Sequence, residues 1–157
     1  MKFHDGTPFD ARAAKWNLDR WVGKKRHNFF ATSTAIKQVT ATDESTLTLT
    51  LSKPYEPLLQ ELSFVRPVRF LSPASVDSKQ KFTKPVGTGP WRLQSSSTNA
   101  ATLIRNDAYW GPTPGPERVE FAVKKDSQTR VSALRAGEVD LIGGAYMSPI
   151  TPTERRA

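Results

Sequence analysis

Four residues of this sequence have side chains suited to holding a small charged or flat ligand: Arg66, Arg26, His27 and Phe29. A guanidinium is planar, permanently charged and able to grip a carboxylate through two parallel hydrogen bonds. Read without further context, Arg66 is a strand arginine in a surface ion pair, an arrangement that contributes little. Arg26 is either part of a solvated basic turn or a second positive group for an anionic ligand. Phe29 is either a core anchor or a wall on which a flat ligand stacks.

Other chemistries lack their residues. His4 and His27 are the only histidines, far apart and without a cysteine or a clustered carboxylate pair, so no direct metal site is expected. Gly87-Thr88-Gly89 lacks the Lys-Ser/Thr ending of a phosphate loop and runs into Pro90 and a strand. No nucleophile elbow or ordered triad is visible, so no catalytic residue, no enzyme activity and no tightly bound cofactor are expected. Trp16, Trp21, Trp91 and Trp110 read as packing residues, given their places on a helix stripe, at a turn exit and in a Tyr-Trp-Gly element.

The 157 residues suffice for one ordinary domain, with 37% apolar residues arranged in clear runs between turns. The formal charge is +8, but the basic residues are scattered and the densest cluster is Lys24-Lys25-Arg26-His27. That reads as a solvated face. A nucleic-acid-binding domain, the unlike alternative, would need a basic stripe with interleaved aromatics and would bind with steep salt dependence. The absence of cysteine excludes disulfides and thiolate sites. No apolar run approaches membrane-spanning length, and Met1-Lys2-Phe3-His4-Asp5 does not open a signal peptide.

These residues must be positioned by a mixture of helices and strands. Thr7-Pro8-Phe9-Asp10 reads as a helix entry, followed by a stripe of Ala14, Leu18, Trp21 and Val22 that ends near Gly23. Asn28-Phe29-Phe30 suggests a second short helix. Ile36 to Ala41 and Thr46 to Leu51 form a hairpin whose strict Thr/Leu alternation turns the leucines to a core. A short helix follows through Leu58, Leu59 and Leu62, then an extended Val65 to Leu71, because Pro67 disfavours a helical Arg66. A second hairpin pairs Trp91–Leu93 with Ala101–Ile104. Arg118 to Val123 is a strand, Ser127 to Ala136 a helix closed by Gly137, and Val139 to Ile142 a further strand. The fold class is therefore α and β mixed.

The order of four landmarks is distinctive. Phe3-His4-Asp5-Gly6-Thr7-Pro8-Phe9-Asp10-Ala11, Gly87-Thr88-Gly89-Pro90-Trp91, Asn106-Asp107-Ala108-Tyr109-Trp110-Gly111 and Arg135-Ala136-Gly137-Glu138-Val139-Asp140 resemble, in sequence and spacing, the signature elements of the nickel/peptide family of extracellular solute-binding proteins. The resemblance spans nearly the whole chain. Arg26-His27, the run Tyr55 to Leu62, and Arg66-Pro67-Val68-Arg69-Phe70 look like the nickel-binding branch, with Phe29 where that branch has a tryptophan.

The resemblance implies a two-lobed periplasmic clamp of the type II kind, closing on its ligand by hinge motion and delivering it to the membrane permease of an ABC importer. This chain would be an internal part of the first lobe: residues 1–85 a subdomain with the helix, first hairpin and Arg66 strand, and 86–157 part of the main sheet. The implied cargo is nickel or another metal carried by a small chelator. Arg66 would hold the chelator's carboxylates, with Arg26, His27 and Phe29 beside it, and no metal ligand would come from this chain. A peptide binder of the same family, reading an extended backbone, remains the neighbouring alternative. A remnant that closes on nothing is the other. Strands and apolar faces left open are expected to make the isolated chain self-associate.

Overall fold

The computed structural model describes residues 1–64 and 69–143. Its elements are helices α1 (Ala11–Asp19), α2 (Ala31–Ala35), α3 (Leu58–Leu62) and α4 (Ser127–Arg135), and strands β1 (Ile36–Ala41), β2 (Leu47–Leu51), β3 (Trp91–Ser96), β4 (Ala100–Arg105) and β5 (Arg118–Ala122). Tight helical turns occupy Lys25–His27 and Pro73–Ser75. Two compact units result: Met1–Leu93 with Ile104–Glu117, and Gln94–Leu103 with the residues from Arg118 onward.

In the first unit, α1 begins where Asp10 in extended conformation accepts the amide of Ala13 at 2.8 Å, satisfying one of the free donors of the first turn. Its Leu18 and the following Trp21 pack with Ile36 and Val39 of β1. β1 and β2 pair antiparallel, with Val39 opposite Leu49 and Ala41 opposite Leu47. Leu47, Leu49 and Leu51 close over the same core while the intervening threonines face water, as the alternation predicts.

Asn17 is buried on α1 and pairs with the backbone of Leu71 in both directions, donating to its carbonyl and accepting its amide, each at 2.9 Å. A second small core joins Phe3, Ala13 and Val86.

The landmark residues near the N-terminus and the glycine turn are knotted together. Gly87 donates its amide to His4 Nδ1 at 3.3 Å, so the proton sits on Nε2, which donates to the Gly89 carbonyl at 2.9 Å. The carboxylate of Asp5 accepts the Ser72 hydroxyl at 2.5 Å and the Thr7 hydroxyl at 2.6 Å. Burial raises the pKa of Asp5, but those bonds outweigh it and hold the group below its ordinary range. His4 is thus a strut between two loops.

β3, β4 and β5 form a three-stranded sheet in that order. In the second unit Asp126 caps α4 through the amide of Thr129 at 2.8 Å, and buried Arg130 donates to the carbonyls of Lys124 and Lys125 at 2.9 and 2.8 Å. Gly137 closes the helix at φ +70°.

Three expectations need correction. Val139–Ile142 forms no strand among the described residues: no described strand lies alongside it, and an unpaired segment gains no ladder bonds. The helix expected at Asn28 to Phe30 begins instead at Ala31, behind the tight turn Lys25–His27. Trp110 is no core residue; it is 65% exposed and donates its indole N–H to the Thr88 carbonyl at 3.2 Å.

Candidate functional site

The candidate site grows from the loop that leaves α1. Gly23 takes φ +67°, which favours glycine, and donates to the Ser33 carbonyl at 3.0 Å. The chain can then wind through Lys25–His27, where the His27 amide donates to the Lys24 carbonyl at 2.8 Å. This turn presents Arg26 outward and tucks the His27 ring between Trp21 and Phe29, at centroid distances of 6.3 and 6.4 Å. Arg26 Nε donates to His27 Nε2 at 3.0 Å.

Phe29 is 71% exposed, so the core-anchor reading fails. Its neighbour Phe30 does the packing, lying against the Leu18–Trp21 core. The rings continue as a row, Phe29 to Phe30 at 4.9 Å and Phe30 to Phe64 at 6.1 Å, with Phe64 also exposed.

That row is braced by a carboxylate that sequence reading left without a role. Glu61 of α3 accepts the Thr32 hydroxyl at 2.5 Å and the Thr32 amide at 2.9 Å, and its other oxygen accepts the Tyr55 hydroxyl at 2.6 Å. α2 has no side-chain cap of its own at Phe30, so Glu61 serves as one from a different helix. The Thr32 hydroxyl foremost, then Tyr55 and the Thr32 amide, hold the Glu61 pKa below its ordinary range. The same contact raises that of Tyr55. A Tyr and a Glu six residues apart around a Pro-started helix was the available signal; their shared target, Thr32, was not visible.

Arg66 lies outside the described residues. The segment that carries it leaves from Phe64, on the aromatic row, and the chain is pinned again at Leu71 by Asn17. The structure thus brings Arg26, His27 and Phe29 together on one turn, and leaves His4 apart from them as a strut.

The electrostatics suit an anion. Glu61 is the carboxylate next to the aromatic row, and its oxygens are already committed to three donors. Among the described residues Arg26 makes no ion pair, and its bond to His27 uses only Nε. Its two terminal nitrogens make no hydrogen bond among the described residues. No group of three His, Cys, Asp or Glu side chains among the described residues gathers as for a metal ion, and no described helix is long and apolar enough to cross a membrane.

Comparison with known proteins decides the family. Residues 1–157 match the model of the bacterial extracellular solute-binding proteins, family 5 middle. The chain belongs to this family. Among curated relatives it is 37% identical over 149 residues to the nickel-binding periplasmic protein of Escherichia coli K12, covering 92% of this chain and 28% of that protein. It is 32% identical over 157 residues to the glutathione-binding protein GsiB of Pectobacterium atrosepticum, covering 95% of this chain and 29% of that one.

Solved structures share its fold, two of them at more than a third identity. An ABC transporter substrate-binding protein from Sinorhizobium meliloti aligns with a TM-score of 0.93 at 46% identity, over 99% of this chain and 32% of that one. NikA from Brucella suis in complex with Fe(III)-EDTA aligns at 0.82 and 38% identity, over 90% and 29%. The chain therefore spans under a third of the length of these relatives, and its mixed α and β architecture is part of a larger solute-binding fold.

Proposed function

We propose that this chain supplies one wall of the ligand site in the substrate-binding component of an ABC importer, and that the ligand is a metal held by a carboxylate-bearing chelator. The role is capture and delivery in the periplasm, to a membrane permease, rather than catalysis. The observation that carries the reading is Arg26: an exposed guanidinium with no carboxylate partner among the described residues, bonded to His27, whose ring neighbours the exposed Phe29, in a family member 38% identical to a protein solved with Fe(III)-EDTA.

Chelated metals present carboxylates on a compact body, which a guanidinium fork and an aromatic face suit together. Arg66, at the end of the aromatic row in sequence, is assigned to the same chelator. The metal is cargo, and its ligands come from the chelator. A second reading, glutathione or a short peptide, is favoured by the 32% identity to a glutathione-binding relative, since both ligands also carry carboxylates.

The test is calorimetric titration of a full-length family member carrying these 157 residues. The ligands are Fe(III)-EDTA, nickel with L-histidine, nickel alone and glutathione, each repeated with Arg66→Ala and Arg26→Ala. Binding that requires the chelator and falls about tenfold or more in either variant supports the proposal, in line with the loss of one charge-assisted contact. Heat with glutathione alone moves the protein to the second reading, and equal affinity in the variants removes both arginines from the site.

A further inference from the structure

The bond between Arg26 and His27 constrains the protonation of both side chains. A guanidinium only donates and stays charged, so the Nε2 that receives it at 3.0 Å must be a bare lone pair. The imidazole is then neutral, with its hydrogen on Nδ1. Nδ1 is buried and has no partner among the described residues, and its ring lies between Trp21 and Phe29. Adding a proton would set an N–H against the Arg26 N–H and place a second cation beside the first. The faces that Trp21 and Phe29 turn toward the ring carry no charge, so among the described residues Arg26 is the charged group acting on it.

Using Nε in this way has a geometric consequence. Arg26 is long and exposed, and without an anchor its guanidinium samples many rotamers. Anchored at Nε, it presents the end formed by the two terminal nitrogens, the edge that grips a carboxylate with two parallel bonds.

We propose that His27 is a positioning residue: its neutral imidazole holds Arg26 by Nε with the terminal fork toward the ligand, and uptake of a proton by His27 weakens the grip on an anionic ligand. Burial, and secondly the Arg26 charge, lower the His27 pKa from its ordinary value, which keeps the holding form dominant at neutral pH. The inference rests on the anionic-ligand reading of the site and adds a residue that acts through Arg26 rather than on the ligand.

The experiment uses a full-length family member carrying these 157 residues, with Fe(III)-EDTA as probe at pH 7.5 and 5.5. His27→Phe keeps the ring and removes the acceptor. His27→Gln offers a carbonyl near the place of Nε2 and does not titrate. The expected result is about a fivefold to tenfold loss in His27→Phe at pH 7.5, the size of one lost hydrogen bond. Affinity should be restored in His27→Gln, and wild type should weaken toward pH 5.5 relative to His27→Gln. In an Arg26→Ala background His27→Phe should change nothing further.

Nitrogen-15 NMR of the unliganded protein should show His27 as the Nδ1–H tautomer, independently of any ligand and of the variants' folding. An Nε2–H tautomer, or His27→Phe binding like wild type, overturns the inference alone. Affinity that rises toward pH 5.5 only when His27 is present would make it a cation touching the ligand, which also overturns it. Absence of wild-type binding to the probe at both pH values overturns the chelate reading and this inference with it.

Discussion

Glu61 caps a helix to which it does not belong, taking both the hydroxyl of Thr32, at 2.5 Å, and its amide, at 2.9 Å. The Thr32 side chain is fully buried while the carboxylate reaches it from α3, so the two short helices and the aromatic row hang on one charged group. Bonding to Thr32 first, then to Tyr55, lowers the Glu61 pKa in the folded protein.

The unfolded chain then binds more protons than the native one across the acid range. The resulting stability is present above the unfolded pKa and is lost as pH falls through the lowered folded value. Urea melts should be flat from neutrality down to about pH 5 and decline below about pH 4. Asp5, lowered despite the opposing effect of burial, adds to the same limb. Glu61→Gln should lower stability at pH 7 and shallow the acid decline; an unchanged acid limb would show that Glu61 does not report on folding.

The same pair explains what the sequence concealed. α1 and the β1–β2 hairpin are legible because local pattern and tertiary need agree: Asp10 caps in place, Leu18 and Trp21 recur at helical spacing, and every second residue of β2 is a leucine. α2 is misplaced in sequence because its cap comes from 29 residues away, which no local window contains. Phe29 and Phe30 are adjacent and chemically equal, and the turn at Lys25–His27 decides which one packs half-buried on the core. The Val139–Ile142 pattern is a strand pattern without a described partner. Of the candidate site, the branch resemblance named Arg26, His27 and Phe29, which lie on or next to one turn, but the Arg26–His27 bond is a rotamer fact that no sequence pattern carries. Arg66 lies outside the described residues.

Leu18 is 1% exposed at the centre of the main core. Leu18→Ala removes its side-chain packing against Trp21, Ile36 and Val39 and should cost about 3 kcal/mol, most of it cavity and transfer free energy. Chemical denaturation with an unchanged m-value is the check. A loss under about 1 kcal/mol would mean that the core collapses around the gap.

Gly137 isolates a pure backbone effect. It sits past α4 at φ +70°, and a Cβ built there meets nothing within 4 Å. Gly137→Ala should therefore cost about 1 kcal/mol through conformation alone, with no clash to relieve. Gly137→Asn, tolerated in the left-handed region, should cost less, and the order of the two variants tests the assignment.

In the second unit Phe121, Val123, Leu134 and Leu141 are all exposed, Leu141 at 87%. Among the described residues β5 is an edge of its sheet, so apolar surface and an open strand edge occur together there. The isolated chain should self-associate despite its charge of +8, more strongly as salt screens that charge. Light scattering that reports a monodisperse monomer at high concentration and high salt would contradict this.

The two adjacent phenylalanines should separate binding from stability. Phe30 packs on the main core, so Phe30→Ala should destabilise the fold by about 2 kcal/mol. Phe29 is 71% exposed, and Phe29→Ala should leave stability within about 0.5 kcal/mol. If Phe29 is the ligand's wall, the same variant should weaken Fe(III)-EDTA binding by a factor of about 3 to 10 in a full-length family member, the range for one lost aromatic contact. Phe29→Trp enlarges the face and should restore or exceed wild-type affinity. Melting temperature and affinity moving together in Phe29→Ala would assign the ring to packing after all. Affinity moving alone places it against the ligand.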